Sequence, residues 1–270
     1  MSPTETQTDK TVLVTTDKLV HGGKGLAHEG AMAIFVGGVL QGEAGVGATT
    51  VWQAACEEAE RGGLRVLRAR PAEGETGLSF SGLRDLLDPV LDEALDSLPE
   101  LQRRAVSRAM LLEPEEDRVP DRPAIGVAVL AVVRRLAKST PLLLAIDDVQ
   151  WLDTESAEAL AYAGRRLREE PAGMLVTLRV PRSTTFLDEI ERSLPPTRYR
   201  VVDLEPLELA ALHEVVVEHL QVALPPPLLA EVHAASGGNP FYALEIVRML
   251  REGRVLVEAG QPLPVPESLH

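Results

Sequence analysis

The chain has 270 residues, a net charge of −14 and 45% apolar residues, so it can bury one large core or two smaller ones and reads as a soluble globular protein. No apolar run approaches the roughly 20 residues that cross a bilayer. The polar start MSPTETQTDK lacks a secretory apolar stretch, and a lone Cys56 excludes an internal disulfide, so a cytoplasmic location is expected. So acidic a chain repels a phosphate backbone, which argues against nucleic-acid binding over the whole surface.

Residues 11–41 read as strands and turns. TVLVTT and AMAIFVGGVLQ are β-rich, with the glycine-punctuated HGGKGLAHEG between them. TTVWQAACEEAER has helical spacing, carries Cys56 as a small apolar residue and stops at Gly62-Gly63. LRVLRAR is a short strand and Pro71–Gly77 a loop. SFSGLRDLLDPVLDEALDSL and LQRRAVSRAMLL carry leucines at helical spacing. An acidic, proline-broken connector, EPEEDRVPDRP, leads to AIGVAVLAVVRRLAK, a helix that ends in basic residues as its dipole favours.

PLLLAI is short enough for a buried strand, TESAEALAYAGRRLREE is an amphipathic helix, and GMLVTLRV is a second buried strand. TTFLDEIERSL and RYRVVDL add a helix and a strand. Strands alternating with helices predict an α/β domain, a parallel sheet covered on both faces. After about Glu205 the alternation stops, and LELAALHEVVVEHL, PPLLAEVHAAS and NPFYALEIVRMLREG predict a small helical subdomain. The expected organisation is a β-rich segment over 1–35, a P-loop NTPase-like domain over 36–205 and helices over 206–270.

GEAGVGATT, residues 42–50, nearly matches the phosphate-cradling pattern G-x-x-x-x-G-K-[ST]. It lies between an apparent strand and an apparent helix, where a glycine-rich turn exposes successive N–H groups. Gly45 and Gly47, with the neighbouring amides of Val46, Ala48 and Thr50, would face phosphates, and Thr49 would offer its hydroxyl to Mg²⁺. Ala48 stands where the lysine belongs. The competing reading is a tight strand-to-helix turn.

LLLAIDD ends an apolar strand in two carboxylates, and carboxyl ends of parallel strands line the ligand crevice of such sheets. Asp147 would hold magnesium and Asp148 would orient the attacking water. Alternatively both begin a loop, with Asp153 capping the next helix. Arg179 ends GMLVTLRV on the same edge, either to sense a γ-phosphate or as a solvated strand-end arginine. Gly238-Asn239-Pro240 is good helix-start chemistry. His213 and His219 in HEVVVEH stand six apart, whereas a zinc pair needs a spacing of four, so they read as surface histidines. Trp52 and Trp151 read as packing against the sheet.

GEAGVGATTVWQAACEEAERGGLRVLRARPAEGETGLSFSGLRDLL, PLLLAIDDVQWLDTESAEALAYAGRRL and SGGNPFYALEIVRML together resemble the ATPase module of LuxR-type bacterial transcriptional regulators, within the signal-transduction ATPases with numerous domains, the STAND class. The likeness runs from about Val39 to the C-terminus. It implies a slow switch in which ATP favours an open, oligomerising state and ADP a closed one. It implies Gly42, Gly45, Gly47 and Thr49 at phosphate and magnesium, Asp147 and Asp148 as the Walker B pair, Arg179 as sensor and Pro240 near adenine.

The sequence departs from that pattern in three places. Ala48 removes a charge-assisted contact worth on the order of 1.5–3 kcal/mol, so ATP/ADP with Mg²⁺ is expected to bind weakly and hydrolysis to be slight or absent. Before the loop, DKLVHGGKGLAHEGAMAIFVGGVLQGE resembles the start of a TRAM domain, an RNA-binding β-barrel. With half a barrel left, AIFVGGVLQ is expected to serve as the first sheet strand, and RNA binding is a distant alternative. The chain stops at PVPESLH, where the family continues into winged-helix, sensor and helix-turn-helix parts, so no direct DNA binding is expected. Expected partners are ATP and a second copy or a regulator protein, with no membrane. A nucleotide-free interaction module is the main alternative.

Overall fold

The computed structural model describes residues 37–96, 98–110, 122–182, 184–253 and Leu263. The N-terminal β-rich segment, most of the TRAM-like stretch and residues 113–121 of the 113–123 connector lie outside the described residues.

Five strands form one sheet: β1 (Gly37–Gly42), β2 (Arg65–Ala69), β3 (Leu142–Ile146), β4 (Ala172–Arg179) and β5 (Tyr199–Asp203). Their spatial order is β2-β3-β4-β1-β5, so the chain leaves β1 for the far edge, works back through β3 and β4, and passes β1 to reach β5. β2 pairs parallel with β3 from Arg65↔Leu142 to Ala69↔Ile146, and β3 pairs parallel with β4 from Leu142↔Ala172 to Ile146↔Val176. β3 and β4 are apolar almost without alternation and are buried along nearly their whole length, as helices on both faces require.

Helices supply those faces. α1 (Ala48–Arg61) follows β1, with Trp52 and Cys56 buried. The leucine-rich stretch after β2 forms α2 (Ser81–Leu87) and α3 (Leu91–Asp96) around a 3-10 turn at Asp88–Val90, because Pro89 has no N–H to continue the first helix. α4 (Glu100–Ala109) and α5 (Arg122–Ala137) precede β3. α6 (Thr154–Gly164) ends six residues before the amphipathic pattern does, with Arg165 as its C-cap. α7 (Thr185–Ser193) is capped by the Thr184 hydroxyl, which accepts from the Leu187 N–H. Leu83, Leu86, Ile125, Val132, Leu136, Leu144 and Ile146 form the centre of this core.

The chain divides into two compact units. One comprises the described residues up to Leu40 together with Thr49–Val202, and the other Gln41–Ala48 with the residues from Asp203 onward. The second contains α8 (Leu209–Leu220), α9 (Pro226–Ser236) and α10 (Pro240–Arg251), around a core of Leu212, Val216, Val232, Ala243, Ile246 and Val247. Among the described residues no helix is long and apolar enough to cross a membrane.

Candidate functional site

Strand register brings three side chains to one edge of the sheet. Ala69 lies beside Ile146 and Ile146 beside Val176, so the next residues along, Arg70, Asp147 and Thr177, sit side by side at the carboxyl ends of adjacent strands. Asp147 is 2% exposed. Its Oδ1 accepts the hydroxyl of Thr177 at 2.7 Å and that of Thr49, in the first turn of α1, at 3.2 Å. Its Oδ2 lies 3.3 Å from Arg70 Nη2. The Asp147 N–H donates to Ala69 O at 3.0 Å. A buried carboxylate is stable only when compensated in this way, and here two hydroxyls and a guanidinium do it.

Asp148 turns the chain away from the strand with φ 55° and ψ 53°, a left-handed conformation uncommon for a non-glycine residue. Its N–H donates to the Thr177 hydroxyl at 2.6 Å. Arg179 grips its carboxylate with two parallel bonds, Nε to Oδ1 at 2.8 Å and Nη2 to Oδ2 at 2.6 Å. Gln150 Nε2 also donates to Oδ1 at 2.9 Å, while its Oε1 accepts the Arg179 N–H at 3.3 Å. The bond to Asp148 raises the guanidinium pKa of Arg179. This fork-on-fork pairing is the strongest geometry available to the two groups.

Asp153, fully buried, organises the scaffold behind the acidic pair. Its Oδ1 accepts the N–H of Ser156 at 2.9 Å, capping its own helix α6, and the N–H of Phe80 at 2.7 Å. Its Oδ2 accepts the N–H of Gly82 at 3.0 Å and the hydroxyl of Ser81 at 3.2 Å, so the same carboxylate starts α2. The Ser156 hydroxyl adds a bond from the Leu83 N–H at 2.8 Å.

In the other unit the glycine-rich turn is held by the start of α10. Asn239 accepts the N–H groups of Phe241 at 3.1 Å and Tyr242 at 3.4 Å through Oδ1, and donates from Nδ2 to Ala44 O at 2.9 Å. The Phe241 N–H also reaches Gly45 O at 3.3 Å. Gly45 has φ 85°, and a Cβ there would stand 2.8 Å from Phe241 Cβ and 2.9 Å from Asn239 Oδ1, so no larger residue fits. Gly47 has φ 100° with nothing within 4 Å of a Cβ position. Ala48 then opens α1.

A model of the AAA ATPase domain family matches residues 36–178, more than half of the chain. The chain belongs to the AAA ATPase domain family. An uncharacterized protein of Rhizobium meliloti (strain 1021) is 26% identical over 141 residues, which are 52% of this chain and 13% of that protein. The STAND protein with a tetratricopeptide repeat sensor from Pyrococcus horikoshii is similar in structure, with a TM-score of 0.49 and 14% identity over 93% of this chain and 34% of that one. The Aeropyrum pernix ORC2 protein, solved in ADPNP and ADP complexes, gives a TM-score of 0.45 and 15% identity over 81% of this chain and 57% of that one. The chain therefore spans about an eighth of the curated relative and less than two thirds of these solved chains.

Phosphate chemistry fits this AAA ATPase domain. Gly47 presents an open stretch of backbone, and the first-turn amides at Thr49 and Thr50 have no intrahelical acceptor, the arrangement that receives anions. One hydroxyl and one carboxylate, Thr49 and Asp147, would suit Mg²⁺ as the protein's share of its ligands if phosphates supplied the rest. Arg70 already neutralises that carboxylate. Among the described residues no group of three or more His, Cys, Asp and Glu is placed to hold a metal by itself.

The sequence-predicted residues fall in two sets. Thr49, Asp147, Asp148 and Arg179 form one hydrogen-bonded network. Gly42, Gly45, Val46, Gly47 and Ala48 belong with Asn239 and Pro240 in the other unit. Sequence reading missed Arg70, Thr177 and Gln150, which are visible only once the strand register is known. It took Asn239 as a cap alone, although the side chain has a second bond to Ala44. Trp52 is buried in α1, whereas Trp151 stacks under Arg182, 4.2 Å from its ring centre.

Proposed function

We propose that this chain is an ATP-binding switch module of a LuxR-type STAND regulator that binds ATP and ADP weakly and turns ATP over slowly or not at all. The observation that carries the reading is the 3.2 Å hydrogen bond from Thr49, the hydroxyl that closes the glycine-rich loop, to Asp147 at the acidic strand end. A strand-to-helix turn with no ligand role has no need of that contact.

In this reading Gly42, Gly45, Val46, Gly47, Ala48, Thr49 and Thr50 lend backbone amides to the phosphates, and Pro240 flanks adenine. Mg²⁺, when bound between Thr49 and Asp147, would neutralise phosphate charge. Asp148 and Arg179 would orient water and sense the terminal phosphate. Low turnover is supported twice over. Ala48 brings no ammonium to the loop, and both oxygens of Asp148 are engaged by Arg179, so a water must compete with a bidentate ion pair for its base. The partner is a second copy of the chain or a regulator protein that reads the nucleotide state.

A nucleotide-free interaction module is the second reading, favoured by the same closed network: Asp147 and Asp148 are each compensated by an arginine without any ligand. Calorimetric titration with Mg-ATP separates the two. Binding in the micromolar to millimolar range supports the switch, and silence at millimolar nucleotide discards it. Ala48→Lys should tighten ATP by about tenfold to a hundredfold, the equivalent of one charge-assisted hydrogen bond. No gain in affinity favours the nucleotide-free module.

A further inference from the structure

We propose that Arg70 supplies the positive charge that position 48 lacks, and that nucleotide binding by this chain consequently needs no divalent cation. The inference rests on the nucleotide-binding reading above and goes beyond it.

Arg70 is the first residue past β2, placed beside Asp147 by the parallel register. The guanidinium leans on Asp147 Oδ2, with Nη2 nearest at 3.3 Å, and the side chain remains 61% exposed. A guanidinium has five N–H donors, more than one carboxylate can take, so on a side chain this exposed some face solvent, or phosphate oxygens delivered there. Arg179 differs: its Nε and Nη2 are committed to Asp148 at 2.8 and 2.6 Å.

The position matters as much as the charge. Thr49 donates to one oxygen of Asp147 and Arg70 pairs with the other, so a single carboxylate group separates the guanidinium from the first turn of α1. A phosphate received by the α1 amides lies within a side chain's reach of Arg70. The same pairing weakens the claim of a metal on the site. A cation approaching Asp147 meets a carboxylate whose charge is already balanced, and must displace Arg70 to gain full attraction. Arg70 thus brings to the β2 end part of the charge that an ammonium on the loop and a metal on the β3 end would bring together, enough to hold nucleotide weakly without the metal.

The experiment is titration of the full chain with ATP in Mg²⁺ and in EDTA, for the wild type, Arg70→Ala and Arg70→Lys. The wild type is expected to bind equally, within about twofold, in both buffers. R70A is expected to lose tenfold or more in EDTA and to recover part of the loss in Mg²⁺, because Asp147 is then free for the metal. R70K keeps a positive charge and is expected to fall between the two. A thermal melt of R70A checks that the exposed substitution leaves the fold intact, and R70K carries the test if it does not. Wild-type ATP affinity that drops tenfold in EDTA, or an R70A variant that binds as well as the wild type there, overturns the proposal while leaving the nucleotide reading standing. A wild type that binds no ATP in either buffer overturns both.

Discussion

Asn239 offers the sharpest handle on the glycine-rich loop, because its two side-chain atoms do separable work. Oδ1 caps α10 through the N–H groups of Phe241 and Tyr242, and Nδ2 holds Ala44 O. Asn239→Ala removes both. The lost cap costs about 1 kcal/mol, and losing the loop bond, made by a side chain on a residue only 5% exposed, costs about 1–2 kcal/mol more. The helical unit should lose about 2–3 kcal/mol in urea unfolding followed by circular dichroism. Asn239→Asp keeps the acceptor, and its negative charge suits a helix N-terminus, but it sets a carboxylate against the Ala44 carbonyl. That variant should unfold within about 1 kcal/mol of wild type yet bind ATP at least fivefold more weakly by calorimetry, because only the loop is disturbed. If N239D binds ATP as the wild type does, or N239A is as stable as the wild type, the loop is not held by this residue and the reasoning fails.

Two buried groups give the remaining outcomes. Asp153→Asn leaves one acceptor oxygen where four donors now converge, and should destabilise the larger unit by about 3 kcal/mol or more, seen as a lower urea midpoint. Burial pushes the Cys56 thiol from 9.0 up to about 11, partly offset by Arg68. With the folded value above the unfolded one, the unfolded chain gives up its proton first as pH rises. The stability linked to the neutral thiol is therefore intact below about pH 9 and declines toward pH 11. Iodoacetamide at pH 8.5 should leave native Cys56 unlabelled and modify it only after denaturation; rapid native labelling would contradict its burial.

Much of the α/β core could be read from residue order. PLLLAI and GMLVTLRV lack alternation because both faces are covered, and they become β3 and β4. GEAGVGATT and LLLAIDD mark the ends of strands, and Thr49 and Asp147 do meet. What stayed hidden depends on lateral order in the sheet. Nothing local in LRVLRAR says that β2 lies beside β3, so Arg70 as a neighbour of Asp147 had no signal before the register was known. Arg179 was placed at a strand end, but its bidentate hold on Asp148 requires the left-handed turn at Asp148, which few side chains adopt and no pattern announces. The second role of Asn239 joins residues 195 positions apart, beyond the reach of any capping rule.

The double use of Asp153 has a consequence for how the chain is made. Phe80 and Asp153 are 73 residues apart, so the N-terminus of α2 leaves the ribosome well before the carboxylate that secures it. At roughly 5–20 residues per second of synthesis, that gap is about 4–15 s. During it α2 and its leucines have no anchor, and the arrival of one aspartate seats two helices together. Slowing translation between these positions should lengthen exposure of Leu83, Leu86 and Leu87 to chaperones and proteases, with the finished protein unchanged.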